Sequence, residues 1–278
     1  MKYFPWASMV MFVSGASLLF WHYLEARSLQ LSPAMRYETV GQIPLPAGYK
    51  RVSLEAGSFG AWLRGVHVKT NNTVYLYNGE RKPNQSAQFA VLDVSVGKKD
   101  LQQCADAVIR LYAEYMYASQ RYTRIAFHAT DGTLMDYSSW MNGYRFPVKH
   151  GRLQRQLTGM ACQGKDCFYQ YLQTVFSYAG TLSLSKELAA VDAPADIQAG
   201  DVFIRGGSPG HAVLVMDMAV NAAGQKVFLL AQSYMPAQDI HILKNPVNSS
   251  HPWYNVGADK LLTTPEWIFR WEELMRFR

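Results

Sequence analysis

One stretch constrains the fold of this chain more than any other, Asp196 to Tyr234, where short apolar runs alternate with tight glycine-rich turns. Gly200 and Asp201 punctuate its start, and Val202 to Arg205 reads as a short apolar strand. Gly206, Gly207, Pro209 and Gly210 then form a turn that delivers His211 to a second strand running to Val220. Asn221 to Gly224 has the composition of a hairpin turn. Lys226 to Gln232 returns as an almost wholly apolar run, the pattern of a strand covered on both faces. If the turn centres on Ala222 and Ala223, facing residues have numbers adding to roughly 445, which sets His211 opposite Tyr234 and close to Gln232. A histidine at a strand start, across from a polar side chain, can be oriented through one ring nitrogen while the other acts as a base. The plain alternative is a satisfied polar residue after a Pro-Gly turn.

A strand pair of this kind needs a core, and the composition supplies one. Of 278 residues, 49% are hydrophobic and 17% charged, which argues for folded structure rather than disorder. The formal net charge is +6, but lysine and arginine are scattered singly or in pairs, so nucleic acid is not an expected partner. The first 24 residues carry one charge, Lys2, and Tyr3 to Leu24 form an apolar run of 22 residues, enough to span about 30 Å of hydrocarbon. Residues 1–27 therefore read as an uncleaved membrane anchor, with a cleaved signal as the rival, and residues 28–46 as a proline-punctuated tether. Residues 47–278 are expected to form a single α+β domain outside the cytoplasm, in the periplasm of a bacterial inner-membrane protein.

Within that domain, Arg51 to Leu54, Trp62 to Lys69, Val74 to Tyr77 and Phe89 to Val96 read as strands. Asp100 has the character of a cap for a helix ending near Ser119, which places Cys104 on the buried face as a core thiol. A second helix is predicted from Asp166 to Gly180. Cys167 would sit in its first turn, where free N–H groups favour a thiolate. Equally, Cys162 lies five residues earlier and could close a disulfide with Cys167. The aromatic and polar segment Tyr137 to Arg145 could line a groove or fill space beneath loops. Trp253, Trp267 and Trp271 are expected to pin the C-terminal segment to the body. There is no H-E-x-x-H, no CxxC pair and no phosphate-binding glycine loop, so no cofactor is expected, while a metal site assembled from distant residues stays open.

The strings LQQCADAVIRLYAEY, YAGTLSLSKEL, GDVFIRGGSPGHAVLVMDMAVN and LLAQSYMPAQDIHILKNP resemble a bacterial family catalogued as domain of unknown function 4846, from about Pro44 to Phe277. That resemblance implies one domain and brings no activity. A second resemblance is to NlpC-type cell-wall peptidases and amidases, which have a papain-like core. Their order is a cysteine at a helix start, G-D opening a strand, G-H opening the next and a polar residue on the one after. Asp166-Cys167, Gly200-Asp201, Gly210-His211 and Gln232 stand in that order. The resemblance implies Cys167 as nucleophile, His211 as base and later acid, Gln232 as orienting group, and an amide in peptidoglycan or an envelope protein as substrate. The family of unknown function features the cysteine of QQCADA instead, which makes Cys104 the rival nucleophile. The expected fold is thus a central antiparallel sheet packed by the Asp100 and Asp166 helices behind an N-terminal transmembrane helix. The expected function is a cysteine-dependent amide hydrolase of the cell envelope. Its alternatives are a catalytically silent domain that binds an envelope ligand or partner, and a structural disulfide protein.

Overall fold

The hairpin at 211–232 forms the middle of an antiparallel sheet in the computed structural model, which describes residues 37–257 and 260–278. The expected anchor, residues 1–27, and residues 28–36 of the expected tether lie outside the described residues. The strands of the main sheet are, in chain order, β1 (Tyr49–Arg51), β2 (Gln88–Val91), β3 (Ala189–Ala190), β4 (Val202–Arg205), β5 (His211–Asn221), β6 (Lys226–Gln232), β7 (His241–Leu243), β8 (Tyr254–Asn255) and β9 (Leu274–Arg276). Across the sheet they run β2-β7-β6-β5-β4-β9-β3, with β1 paired to the far end of β5 and β8 to β6. Every pairing is antiparallel.

The central hairpin follows from its turn. The side-chain carbonyl of Asn221 accepts the N–H groups of Ala223 and Gln225, and Gly224 takes φ +80°, a conformation open to glycine. Leu214 pairs with Ala231 and Val220 with Lys226, and the register shifts between Val215 and Asp217. This bulge switches the alternation. Ala212, Leu214, Met216 and Ala219 join one apolar core, whereas Val213, Val215 and Met218 join another. β5 is therefore covered on both faces, as its unbroken apolar run predicts.

Among the described residues the α-helices are α1 (Phe59–Arg64), α2 (Cys104–Ala118), α3 (Tyr137–Met141), α4 (Gly164–Tyr178) and α5 (Thr181–Glu187). The fold is a mixed α/β architecture dominated by the large antiparallel sheet. α2 packs along β5 through Ala105, Val108, Ile109 and Tyr112, in the same core as Ala212 and Leu214. The α4 helix, which the sequence sets against the sheet, meets α2 and α3 through ring contacts of Phe168 with Tyr117 at 4.5 Å and of Tyr137 with Tyr171 at 5.2 Å. On the opposite face a hairpin of Leu261–Thr263 and Ile268–Arg270 covers Phe203 and Val213. Trp271 packs there on Phe203, and Trp253 is fully buried beside Arg51.

Several sequence boundaries are corrected. Residues 37–46 belong to the body rather than to a tether, because Val40 and Ile43 are fully buried and Trp253 Nε1 donates to the Pro44 carbonyl at 2.7 Å. Trp62 to Lys69 is not a strand. Ser58 Oγ accepts the Ala61 N–H and caps α1, and Phe59 and Trp62 then pack on the α2 tyrosines. α2 begins at Cys104 rather than after Asp100, because Asp106 reaches back to the Gln103 N–H at 3.1 Å while Asp100 accepts from Ala237 N–H. α4 starts at Gly164 with Gln163 as its cap residue, which leaves Asp166 in the first turn.

Candidate active site

The His211 side chain is placed by a loop that only small residues can form. A Cβ on Gly210 would come within 2.4 Å of both the Gly207 carbonyl and Thr181 Oγ1. A Cβ on Gly206 would lie 2.3 Å from Ser185 Oγ. The loop is thus drawn onto α5, and the chain enters β5 with His211 paired to Arg205 across the sheet. The imidazole projects to the side of the C-terminal hairpin, where Trp267, Phe269 and Tyr234 surround it with ring centroids at 5.2, 5.8 and 4.9 Å.

One hydrogen-bonded chain then fixes its protonation. Lys82 Nζ donates to Glu266 Oε2 at 2.5 Å, Asn84 Nδ2 donates to Glu266 Oε1 at 3.0 Å, and Gln232 Nε2 donates to Glu266 Oε2 at 2.7 Å. A carboxylate only accepts, so the amide nitrogen of Gln232 must face Glu266 and its oxygen must face the histidine. Gln232 Oε1 lies 2.8 Å from His211 Nε2. Nε2 therefore carries the proton, and Nδ1 is left as the lone pair, with no hydrogen bond among the described residues. Burial alone would raise the Glu266 pKa, but Lys82 and Asn84 outweigh it and hold the carboxyl below its ordinary value. Burial pushes His211 down to about 4, against the opposing pull of Gln232 and Glu266.

The two candidate thiols part company. Cys167 is bonded to Cys162 with an S–S distance of 2.16 Å, so its sulfur is not free to act as the nucleophile expected from the resemblance. The five-residue spacing and the turn before α4 bring the two Cα atoms to 5.7 Å, within disulfide reach. Cys104 is the free cysteine of the described residues. It occupies the first position of α2, and its sulfur faces the backbone N–H groups of Ala105 and Ala212, the latter being the residue after His211. Burial, reinforced by Asp106, nonetheless drives this thiol up to about 11. No hydrogen bond joins Cys104 to His211 among the described residues. The Tyr234 ring meets the His211 ring edge-on, and its pKa is raised by burial, then by Glu266 and Cys104.

The structure thus brings His211 and Gln232 together, sets Cys104 at the same end of β5 and removes Cys167. Glu266, Lys82 and Asn84 were not singled out from the sequence. They lie 34 to 184 residues from their partners, and no local spacing marks them. Gly200 and Asp201, the G-D motif, prove structural: Asp201 takes a two-pronged grip from Arg276 at 2.6 and 2.8 Å, tying β9 to the start of β4. Tyr137 to Arg145 holds α3, with Tyr137 and Trp140 in the core and the Arg145 guanidinium 4.1 Å from the Trp140 ring. Among the described residues no three His, Cys, Asp or Glu side chains gather as metal ligands, and no helix is long and apolar enough to cross a membrane.

The described residues form a mixed α/β architecture on a large antiparallel sheet, with a histidine–amide–carboxylate chain at one end of β5. The chain belongs to the family described as domain of unknown function 4846, whose model matches residues 40–276. No curated protein matches it. No solved structure matches it either.

Proposed function

We propose that this chain is a cysteine-dependent amide hydrolase of the bacterial cell envelope, with a papain-like arrangement in which Cys104 is the nucleophile, His211 the base and Gln232 the orienting group. One observation carries the reading. A thiol in the first turn of a helix faces the N–H of the residue that follows a histidine whose Nδ1 is held as a lone pair by Gln232 and Glu266. In the reaction the Cys104 sulfur attacks the amide carbonyl carbon as its proton passes to His211 Nδ1. The C–N bond then breaks, the amine leaves with that proton, and water deacylates the thioester with His211 again as base. N–H groups of the first turn of α2 would stabilise the oxyanion. At rest the proton stays on sulfur, since burial disfavours both charged forms. The imidazole and α2 lie on opposite faces of β5, so attack requires His211 to leave the C-terminal hairpin and bring Nδ1 around the start of the strand to the thiol. The apolar run Tyr3 to Leu24 supports anchorage to the inner membrane with the body in the periplasm, where peptidoglycan or an envelope protein would be the substrate.

The test is labelling of the full chain with peptidyl acyloxymethyl ketones across pH 5 to 9, with adducts located by mass spectrometry. Cys104 is expected to be labelled in the wild type and spared in His211→Ala. Equal labelling of both, or none in either, removes the hydrolase reading.

A second reading, a catalytically silent binding domain on the same fold, is favoured by the missing Cys104–His211 hydrogen bond and the raised thiol pKa. It predicts that Cys104→Ala leaves the cellular role of the protein intact.

A further inference from the structure

A cavity of about 430 Å³ opens between the loop Ser95–Gln102 and one side of α4, away from the His211 chain. Its volume lies in the range of small-molecule sites, and its floor is apolar, built by Leu101, Leu172, Phe176 and the ring of Tyr169. Three cationic side chains line it, Lys98, Lys99 and Arg110, and no acidic one does. Arg110 is already paired with Glu114 at 3.0 Å, so the uncompensated charge is that of the two exposed lysines.

Gln102, which is 1% exposed, forms part of the wall. Arg110 Nη1 donates to its Oε1 at 2.9 Å, and since arginine cannot accept, the flip of this amide is settled. Gln102 Nε2 then has no acceptor among the described residues, a buried donor left open beside a cationic, apolar cavity. Gln102 is two residues before Cys104, so the cavity wall stands within about 7 Å of the Cys104 backbone. Its carbonyl also accepts from Ser233 Oγ, next to Tyr234.

We propose that this cavity binds an apolar group bearing a carboxylate; binding there needs no chemistry and does not depend on the hydrolase reading. The lysines would meet the carboxylate and the α4 side chains the apolar body.

The probe is 4-phenylbutyrate, titrated calorimetrically into the full chain beside 4-phenylbutanol and 4-phenylbutylammonium. The acid is expected to bind saturably and the two controls about tenfold more weakly or worse. Lys98→Ser with Lys99→Ser should weaken the acid about tenfold, an effect that shrinks as salt is added. Gln173→Trp, an exposed position at the cavity wall, should block binding without touching the core. Equal binding of acid and amine, unchanged binding in Gln173→Trp, or no saturable binding of the acid overturns the proposal. The same titration on Cys104→Ala should match the wild type, which separates failure of the pocket from failure of the nucleophile.

Discussion

The two ends of β5 each hold a buried charge, and they use it differently. Toward the far end, Asp217 is fully buried and saturated: Arg51 Nε donates to one oxygen at 2.7 Å, and Arg64 Nε and Nη2 to the other at 2.8 and 2.6 Å. The Met218 N–H adds a further donor at 2.8 Å. The arginines in turn reach the Ile43 and Val52 carbonyls, which ties the N-terminal segment of the body to the sheet. At the near end, the Glu266 chain finishes on a histidine with an unused lone pair, while the Cys104 thiol and the unpartnered Gln102 donor stand on the α2 side of the sheet. Saturated polar groups rigidify a fold, and open ones at the same depth carry a cost that a structural role does not explain. The comparison separates the charge that holds the sheet from the charge that is free to act on something else.

Breaking the far end should have the largest effect. Asp217→Ala leaves two guanidinium groups facing an empty site, and it should cost about 3–5 kcal/mol in urea unfolding. Labelling of Cys104 in the fraction that stays folded should be unchanged. A loss below about 1 kcal/mol would mean that the arginines find other partners and that the far end is not the clamp described.

The next effect is a pH dependence that belongs to the near end. His211 and His241 are both lowered to about 4, by burial first and with Lys82 adding to it. In the unfolded chain an imidazole titrates near 6.5. Protonation is easier unfolded, so this stabilisation is complete above about pH 6.5 and is lost as the pH falls toward 4. Each histidine should add a slope of about 1.4 kcal/mol per pH unit within that window. Buried carboxyls such as Asp106 and Asp201 have raised pKa values and act in the opposite sense, so the wild type alone is not diagnostic. The comparison with His241→Phe is, because it removes one slope of known sign. Parallel curves for the two proteins between pH 4 and 6.5 would show that His241 is not held neutral.

Which parts of this division were legible in the sequence follows from where the information lies. The hairpin was, because the Asn221 to Gly224 turn and two apolar runs are local signals, and they set Gln232 beside His211 within a single bulge. The start of α2 was not: Asp100 has the chemistry of a cap, yet it is taken by the Ala237 N–H, 137 residues away. Three residues of displacement put Cys104 at the first position of the helix, where it is still buried, as the sequence predicts. Glu266 and Lys82 were invisible for the same reason, since their meaning is a contact across 184 residues. Apolar and polar positions that partly alternate from Trp62 to Lys69 suggest a strand, but the Ser58 cap and the α2 tyrosines decide for helix at Trp62.

Within the near end, Glu266→Gln tests whether the chain of hydrogen bonds sets the tautomer. The amide can still accept from Lys82, but a buried ammonium loses its counter-charge, and about 2–3 kcal/mol of stability should go with it. The Gln232 amide is then free to turn over, since its neighbour can donate as well as accept. NMR of the His211 ring should show a mixture of tautomers in place of the Nε2-protonated form. A wild-type ring spectrum in this variant would break the link between Glu266 and His211.

The smallest effect concerns the cysteine pair that competes with Cys104 for meaning. Cys162 and Cys167 close a short loop, and loop-closure entropy assigns such a bridge about 2 kcal/mol, at the lower end of what disulfides contribute. Cys162→Ser with Cys167→Ser should therefore lower stability by about that amount. Cys167 is buried in the α4 core, so a local loosening of the first turn of α4 should accompany the loss, visible as faster amide exchange there. His211-dependent labelling of Cys104 should persist, because α4 reaches the thiol only through α2 and the cavity wall. If labelling disappears with the bridge while the protein stays folded, α4 supports the near end directly, and the division between holding and acting regions must be redrawn to include it.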